Sequence, residues 1–120
     1  MLFVEYPKCT TCKKAKKWLD EQGIAYTDRH IKDENPTLAE LTEWHKRSGL
    51  PLKRFFNTSG VLYQNLNLKD KLLQMSEQEQ LELLASDGML VKRPLLVLDD
   101  AVLPGFKPEQ WAELLKVEIK

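Results

Sequence analysis

The stretch that decides the fold is LFVEYPKCTTC, residues 2–12. Its apolar first half, residues 2–6, predicts a short buried strand that ends at Pro7. From about Thr10 to Gln22 the apolar residues recur at helical spacing, and Gly23 is a typical helix stop. This part of the chain therefore predicts a strand, a loop with two cysteines and a helix in direct succession.

Further along the chain, Ile24–Ile31 predicts a second strand, more polar than the first and near an edge of the sheet. A strand–helix–strand unit of this kind joins parallel strands through a right-handed crossover. Helices are predicted across about residues 35–88, one of them opened by a capping box of Thr37 and Glu40 and another at Leu66–Leu73.

The last third returns to strands. The wholly apolar residues 94–98 predict a central buried strand, and 101–103 pair back on it after a turn. Pro108 begins a final helix, whose inward face is predicted to hold Trp111, Leu114 and Leu115. The order βαβ, helices, ββα predicts an α/β, thioredoxin-like (glutaredoxin-like) fold: a mixed four-stranded sheet with a helical insertion between its two halves.

Composition limits the classes of function. The 120 residues fit a single domain, residues 1–120, and the 18 basic and 18 acidic residues cancel. A neutral chain argues against direct nucleic-acid binding and against a polybasic membrane anchor. Since we find neither a signal peptide nor an apolar run long enough to span a membrane, we expect a cytoplasmic protein, monomeric by default.

The cysteine pair carries the clearest chemistry. Cys9 is predicted at the start of a helix, where unpaired N–H groups and the helix dipole lower a thiol pKa from about 8.5 to roughly 3.5–7.5. Cys9 would be the nucleophile and Cys12, one turn later, the resolving thiol. Nearby lysines would favour the thiolate and an anionic substrate, Lys8 and Lys13 most directly, although they could equally form a solvated helix face.

Two plainer interpretations of the cysteines remain open. They could be small buried residues of a redox-inert binding module, or half of a zinc site, which needs about four ligands. Only His30 and His45 could add nitrogen ligands, and their spacing is unlike that of a zinc finger. We therefore expect no metal and no bound cofactor, and favour redox chemistry.

Arg93 and Pro94 precede the predicted central strand. In a thioredoxin-like fold this strand begins with a cis proline beside the cysteine loop, and Pro94 would leave its neighbour's backbone free to pair with an incoming peptide or glutathione. Arg93 would then lie near Cys9, where a guanidinium can bind an oxyanion with two hydrogen bonds. The alternative is an ordinary surface arginine.

With these elements in place, the chain resembles the arsenate reductase-like family of thioredoxin-fold proteins, which includes Spx and MgsR. The resemblance covers essentially the whole chain and rests on YPKCTTCKKA (6–15), FNTSG (56–60), residues 63–68, KRPL (92–95) and Gly105-Phe106. It implies an arsenate-attacking or disulfide-forming Cys9 and an oxyanion-binding Arg93. It also implies a small anionic or thiol substrate, with glutathione and glutaredoxin, or thioredoxin, as electron donor.

Several positions depart from the arsenate-reducing branch. Those enzymes resemble this chain but have Ser in place of Cys12, Arg in place of Lys13 and His in place of Glu5. Their two further arsenate-binding arginines fall near Asn57 and Lys107. These departures weaken arsenate as the physiological substrate and leave thiol–disulfide chemistry intact.

The Spx branch implies a function of a different class. Its members use a CxxC pair as a redox switch and bind the C-terminal domain of the RNA polymerase alpha subunit, without contacting DNA sequence themselves. The Cys9–Cys12 pair fits that switch, but Spx-type chains carry an arginine where this chain reads Thr58-Ser59-Gly60. A redox-switch regulator is therefore the alternative to an oxidoreductase.

Overall fold

The computed structural model describes residues 1–116. In chain order the strands and α-helices are β1 (Leu2–Glu5), α1 (Thr10–Glu21), β2 (Thr27–His30), α2 (Leu38–Ser48), α3 (Val61–Asn65), α4 (Leu68–Lys71), α5 (Glu77–Ser86), β3 (Leu95–Val97), β4 (Val102–Pro104) and α6 (Pro108–Leu115). Short 3-10 turns at Leu52–Phe55, Leu72–Gln74 and Gly88–Leu90 complete the inserted region. None of the helices within residues 1–116 is both long enough and apolar enough to cross a membrane.

The four strands form one mixed sheet in the order β2-β1-β3-β4. β1 runs parallel to β2, with Leu2 opposite Thr27, and antiparallel to β3, with Leu2 opposite Val97. β4 is antiparallel to β3. The thioredoxin-like α/β fold is thus confirmed, with β3 in the interior of the sheet and α2–α5 between the βαβ and ββα halves.

The two faces of the sheet have separate cores. Phe3 lies on the face that packs against α1 and α6, with Leu19 and Trp111. Val4 points to the other face, where the inserted helices bury Leu41 and Trp44. Because successive strand residues face opposite ways, a strand buried on both sides is expected to be apolar. β3 is apolar throughout, and β1 is apolar except for Glu5 at its end.

Three details differ from the sequence predictions. β2 spans only Thr27–His30 of the predicted Ile24–Ile31, since β1 offers just four residues for pairing. The predicted helix Leu66–Leu73 begins later, because Asn67 takes a left-handed conformation (φ 54°) that separates α3 from α4. Leu114 is 43% exposed, because the inward face of α6 is formed by its neighbours Trp111, Ala112 and Leu115.

Candidate active site

The cysteine loop connects β1 to α1 and places Cys9 at the helix N-terminus. The Cys9 N–H donates to the Tyr6 carbonyl (2.9 Å), which turns the chain sharply after the strand. Cys9 then caps the helix: its Sγ accepts a hydrogen bond from the Cys12 N–H at 3.3 Å. The sulfur occupies the position where a helix favours negative charge, as the sequence predicted.

The two thiols, both free, lie in different surroundings. Cys9 is partly exposed, whereas Cys12 is completely buried on the inward face of α1. Burial raises the pKa of Cys9, but the hydrogen bonds from Cys12 and the charge of Arg93 outweigh it, so the pKa lies below the ordinary thiol value. Burial and the adjacent Cys9 raise the pKa of Cys12 to about 12. The geometry thus favours a thiolate at Cys9 and a protonated thiol at Cys12.

Arg93 is the cation that the fold brings to Cys9. The Arg93–Pro94 peptide bond is cis, as predicted, and the Pro94 carbonyl accepts a hydrogen bond from the Gly105 N–H at 2.8 Å. The guanidinium carbon lies 5.1 Å from the centroid of the Tyr6 ring, a cation–π contact that holds the side chain over the cysteine loop. Its Nη1 is buried and has no hydrogen-bond partner among residues 1–116, so this donor is available to a thiolate or an oxyanion.

The lysines of α1 contribute less than their number suggests. Lys16 pairs with Asp28 (2.8 Å) and Glu5 (3.5 Å), and Lys17 lies 3.9 Å from Glu21. Lys16 is therefore paired within the protein, because two acidic residues distant in sequence, Glu5 and Asp28, lie against the helix. Arg93 and the helix N-terminus, rather than these lysines, favour the Cys9 thiolate.

Lys8 and Lys13 are exposed on the surface of the loop and of α1. Lys13 lines a groove of about 410 Å³, which we call the mixed groove because acidic and basic side chains share it. Its lining residues are Glu5, Pro7, Lys13, Lys16, Asp28, His30 and Glu34. Substrate binding by Lys8 and Lys13 stays a prediction.

Glu5 is a buried carboxyl at the end of β1, with only 4% of its surface exposed. Burial, reinforced by Asp28 and opposed by Lys16, raises its pKa to about 7. From sequence alone, Glu5 stands out only as a departure from a family pattern. A charged residue ending an apolar strand is the signal that could have found it, since such residues are rarely buried without a partner.

A second cavity, the basic pocket, lies on the Arg93 side of the loop and measures about 320 Å³. It is lined by Thr11, Arg54, Lys92, Arg93, Pro104, Gly105, Phe106 and Lys107. Asn57 lies on yet another side of Arg93, in a cavity of about 460 Å³. Arg54 could not be found from sequence, because only the long-range bridge between Phe56 and Val91 brings it to Lys92 and Arg93.

Histidines lie apart from the thiols. His30 accepts hydrogen bonds at Nδ1 from the Lys32 and Asp33 N–H groups, and His45 packs edge-on against Phe55. Within residues 1–116 no group of three or more His, Cys, Asp or Glu side chains could hold a metal ion.

Comparison with known proteins extends these observations. The model of the ArsC family matches residues 4–114. YusI of Bacillus subtilis strain 168 is 56% identical over 113 residues, covering 94% of this chain and 96% of that protein. The regulatory protein MgsR of the same strain is 34% identical over 120 residues, covering 100% of this chain and 91% of MgsR. The crystal structure of an ArsC family related protein from Bacteroides fragilis has a TM-score of 0.92 at 59% identity, covering 94% of this chain and 95% of the other.

Proposed function

The chain belongs to the ArsC family, and we propose that it acts as a thiol–disulfide oxidoreductase with Cys9 as nucleophile and Cys12 as resolving thiol. The observation that carries this proposal is the opposite perturbation of two thiols one helical turn apart. The pKa of Cys9 is lowered and that of Cys12 is raised to about 12, so Cys9 loses its proton at a lower pH than Cys12 does. A structural pair of cysteines would not need that difference.

The reaction follows from this asymmetry. The Cys9 thiolate attacks one sulfur of a substrate disulfide, forms a mixed disulfide and releases the other half as a thiolate. Cys12 then loses its proton and attacks the Cys9 sulfur, releasing the second half and closing the Cys9–Cys12 disulfide. The substrate gains two electrons and the protein loses two, which a thiol reductant such as glutathione with glutaredoxin, or thioredoxin, restores.

Arg93 has two roles in this scheme. Its charge stabilises the Cys9 thiolate, and its unpartnered, buried Nη1 supplies a hydrogen-bond donor for an anionic substrate group. Pro94, beside it, would leave its neighbour's backbone free to pair with an incoming peptide or glutathione. Arsenate is one candidate for that anionic substrate. Its reduction to arsenite would oxidise the same cysteine pair, with one oxygen leaving as water.

The test compares wild type with Cys9→Ser and Cys12→Ser. Alkylation of Cys9 by iodoacetamide should show an apparent pKa clearly below 8.5, and mild oxidant should remove two hydrogens from the mass of the wild type only. Thiol exchange should be lost in Cys9→Ser and stop at a mixed disulfide in Cys12→Ser. An alkylation pKa at or above about 8.5 would refute the proposal.

Arsenate needs a separate assay, coupled to glutaredoxin in one arm and thioredoxin in the other. Arsenite production above background in either arm, lost in Cys9→Ser, would assign arsenate as a substrate. Background rates in both arms would remove arsenate while leaving disulfide exchange untouched.

A second candidate function is redox-controlled transcription regulation. It is favoured by the similarity to the regulatory protein MgsR, which extends over the whole chain. By resemblance to Spx, we expect binding to the RNA polymerase alpha C-terminal domain that changes when Cys9 and Cys12 are oxidised. A pull-down that retains no polymerase subunit in either redox state would exclude this function.

A further inference from the structure

Tyr6, the residue between β1 and the cysteine loop, contacts each component of the candidate active site. Its carbonyl accepts a hydrogen bond from the Cys9 N–H at 2.9 Å. Its own N–H faces the Cys12 sulfur, where it opposes the rise in the pKa of that thiol. The centroid of its half-buried ring lies 5.1 Å from the guanidinium carbon of Arg93. This one residue therefore joins both thiols to the cation beside them.

Arg93 is held at this place by a ring and not by an acid. Within residues 1–116 no Asp or Glu forms an ion pair with it. The face of an aromatic ring attracts a guanidinium although the ring carries no net charge. A carboxylate in the same position would oppose the effect of Arg93 on Cys9 with its own negative charge. The contact with Tyr6 therefore fixes the guanidinium and leaves its charge to act on the thiolate.

The Tyr6 ring is itself braced from β2. The His30 ring packs against it with 5.6 Å between the centroids and an angle of 89° between the planes, a favourable edge-to-face arrangement. His30 is fixed in turn, because its Nδ1 accepts hydrogen bonds from the backbone N–H groups of Lys32 (3.2 Å) and Asp33 (3.1 Å). Tyr6 also packs against the core that the inserted helices form with the sheet. The ring therefore presents a fixed face to Arg93.

We propose that Tyr6 is a positioning residue of the thiol chemistry: its ring holds the Arg93 guanidinium beside Cys9, and its backbone holds the loop that carries both cysteines. This inference rests on the proposed oxidoreductase function and adds to it the residue that keeps Arg93 in place. The effect of the Tyr6 side chain on Cys9 passes through Arg93. Its loss should therefore reproduce, in part, the loss of the Arg93 charge.

The first measurement is the alkylation of Cys9 by iodoacetamide as a function of pH. Tyr6→Leu removes the ring but keeps an apolar side chain, so a released Arg93 gains rotamer freedom and spends less time beside the sulfur. We expect the rate at pH 7 to fall roughly threefold to tenfold and the pH profile to move to higher pH. Tyr6→Phe keeps the aromatic face and should remain within about twofold of the wild-type rate.

A double-mutant cycle distinguishes positioning from general damage to the cysteine loop. In an Arg93→Gln protein the cation that Tyr6 positions is already gone, so adding Tyr6→Leu should change the alkylation rate less than about twofold. Tyr26→Leu is the matched control. Tyr26 is also a half-buried tyrosine, but it packs against Phe3 (5.4 Å) in the core on the other face of the sheet. Its substitution should leave the rate within about twofold of wild type.

Two results of this cycle would overturn the proposal. One is a wild-type alkylation rate in Tyr6→Leu, which would show that Arg93 keeps its position without the ring. The other is an equal decrease on adding Tyr6→Leu to the wild type and to Arg93→Gln, which would show that the tyrosine acts on the loop and not through the guanidinium.

A proton NMR spectrum of the wild type separates this inference from the proposed function, and it decides the proposal even if Tyr6→Leu does not fold. Because the guanidinium lies over the ring, the Arg93 Hε resonance should be shifted upfield of its ordinary position. An upfield shift with an alkylation pKa of Cys9 at or above about 8.5 would refute the oxidoreductase function and leave the placement of Arg93 by Tyr6 standing. An ordinary Hε position with a lower alkylation pKa would overturn the role of Tyr6 and leave the function standing.

Discussion

Arg54 and Lys92 line the basic pocket on one side of the cysteine loop and have no acidic partner within residues 1–116, whereas Lys16 on the other side lies between Glu5 and Asp28. Both sides are rich in cations and both border the same loop. They differ in what neutralises the charge: acidic residues line the mixed groove, whereas none of the described residues that line the basic pocket is acidic. A run of lysines in sequence therefore does not locate an anion site until the acidic partners of those lysines in the fold are known.

The largest effect that we expect tests the mixed groove. Glu5 has its pKa raised to about 7 in the folded protein, against about 4.3 in an unfolded chain. Because the raised pKa favours the neutral carboxyl, its stabilisation is complete below about pH 4 and is lost as the pH rises through 7. Glu5→Gln should therefore remove about 2–3 kcal/mol of pH dependence in the free energy of unfolding between pH 5 and pH 8.

Urea denaturation at several pH values in that window measures this effect. Asp28 does not interfere, because its pKa is lowered and it titrates below the window. Glu113→Gln, an exposed substitution on α6, is the control and should keep the wild-type pH dependence. If Glu5→Gln also keeps the wild-type pH dependence of unfolding, Glu5 is charged throughout the window and its pKa in the mixed groove is not raised.

The order of strands and helices along the chain and the helix start at Cys9 could be predicted from sequence because their signals are local. The apolar run of β1, the helix start at Cys9 and the capping box of Thr37 each lie within a few residues. The ion pairs of Lys16 and the position of Arg54 could not be predicted, because each depends on contacts between distant segments. Arg93 could be placed only because a proline follows it at a known point in the fold.

The second-largest effect that we expect concerns Arg93, on the basic-pocket side of the cysteine loop. Arg93→Gln removes a charge that lowers the pKa of Cys9 while leaving the Cys12 N–H bond to its sulfur in place. We expect the alkylation pKa of Cys9 to rise and its rate with iodoacetamide at pH 7 to fall roughly tenfold, because less of the sulfur is then thiolate. Arg93→Lys should recover part of the rate, and an unchanged pH profile would show that the helix N-terminus alone activates Cys9.

Lys16→Met should have a smaller effect, confined to stability. It leaves Glu5 and Asp28 without their shared cation. The free energy of unfolding should fall by about 1 kcal/mol at pH 8, a modest loss because the Lys16 side chain is 45% exposed and solvent screens its charge. The cost should shrink at pH 5, where Glu5 is neutral. Urea denaturation at the two pH values measures this loss of stability. If the alkylation rate of Cys9 also changed, the mixed groove would not be independent of the Cys9 thiolate.

The smallest effect comes from Lys17, whose ion pair with Glu21 spans one turn on the exposed face of α1. At 3.9 Å, with both side chains mostly in solvent, the pair should contribute less than about 0.5 kcal/mol to stability. Lys17→Gln should also change the alkylation rate of Cys9 less than about twofold, because salt and solvent screen a charge this exposed. A decrease as large as that of Arg93→Gln would mean that the summed charge of α1, rather than one positioned guanidinium, activates the thiol.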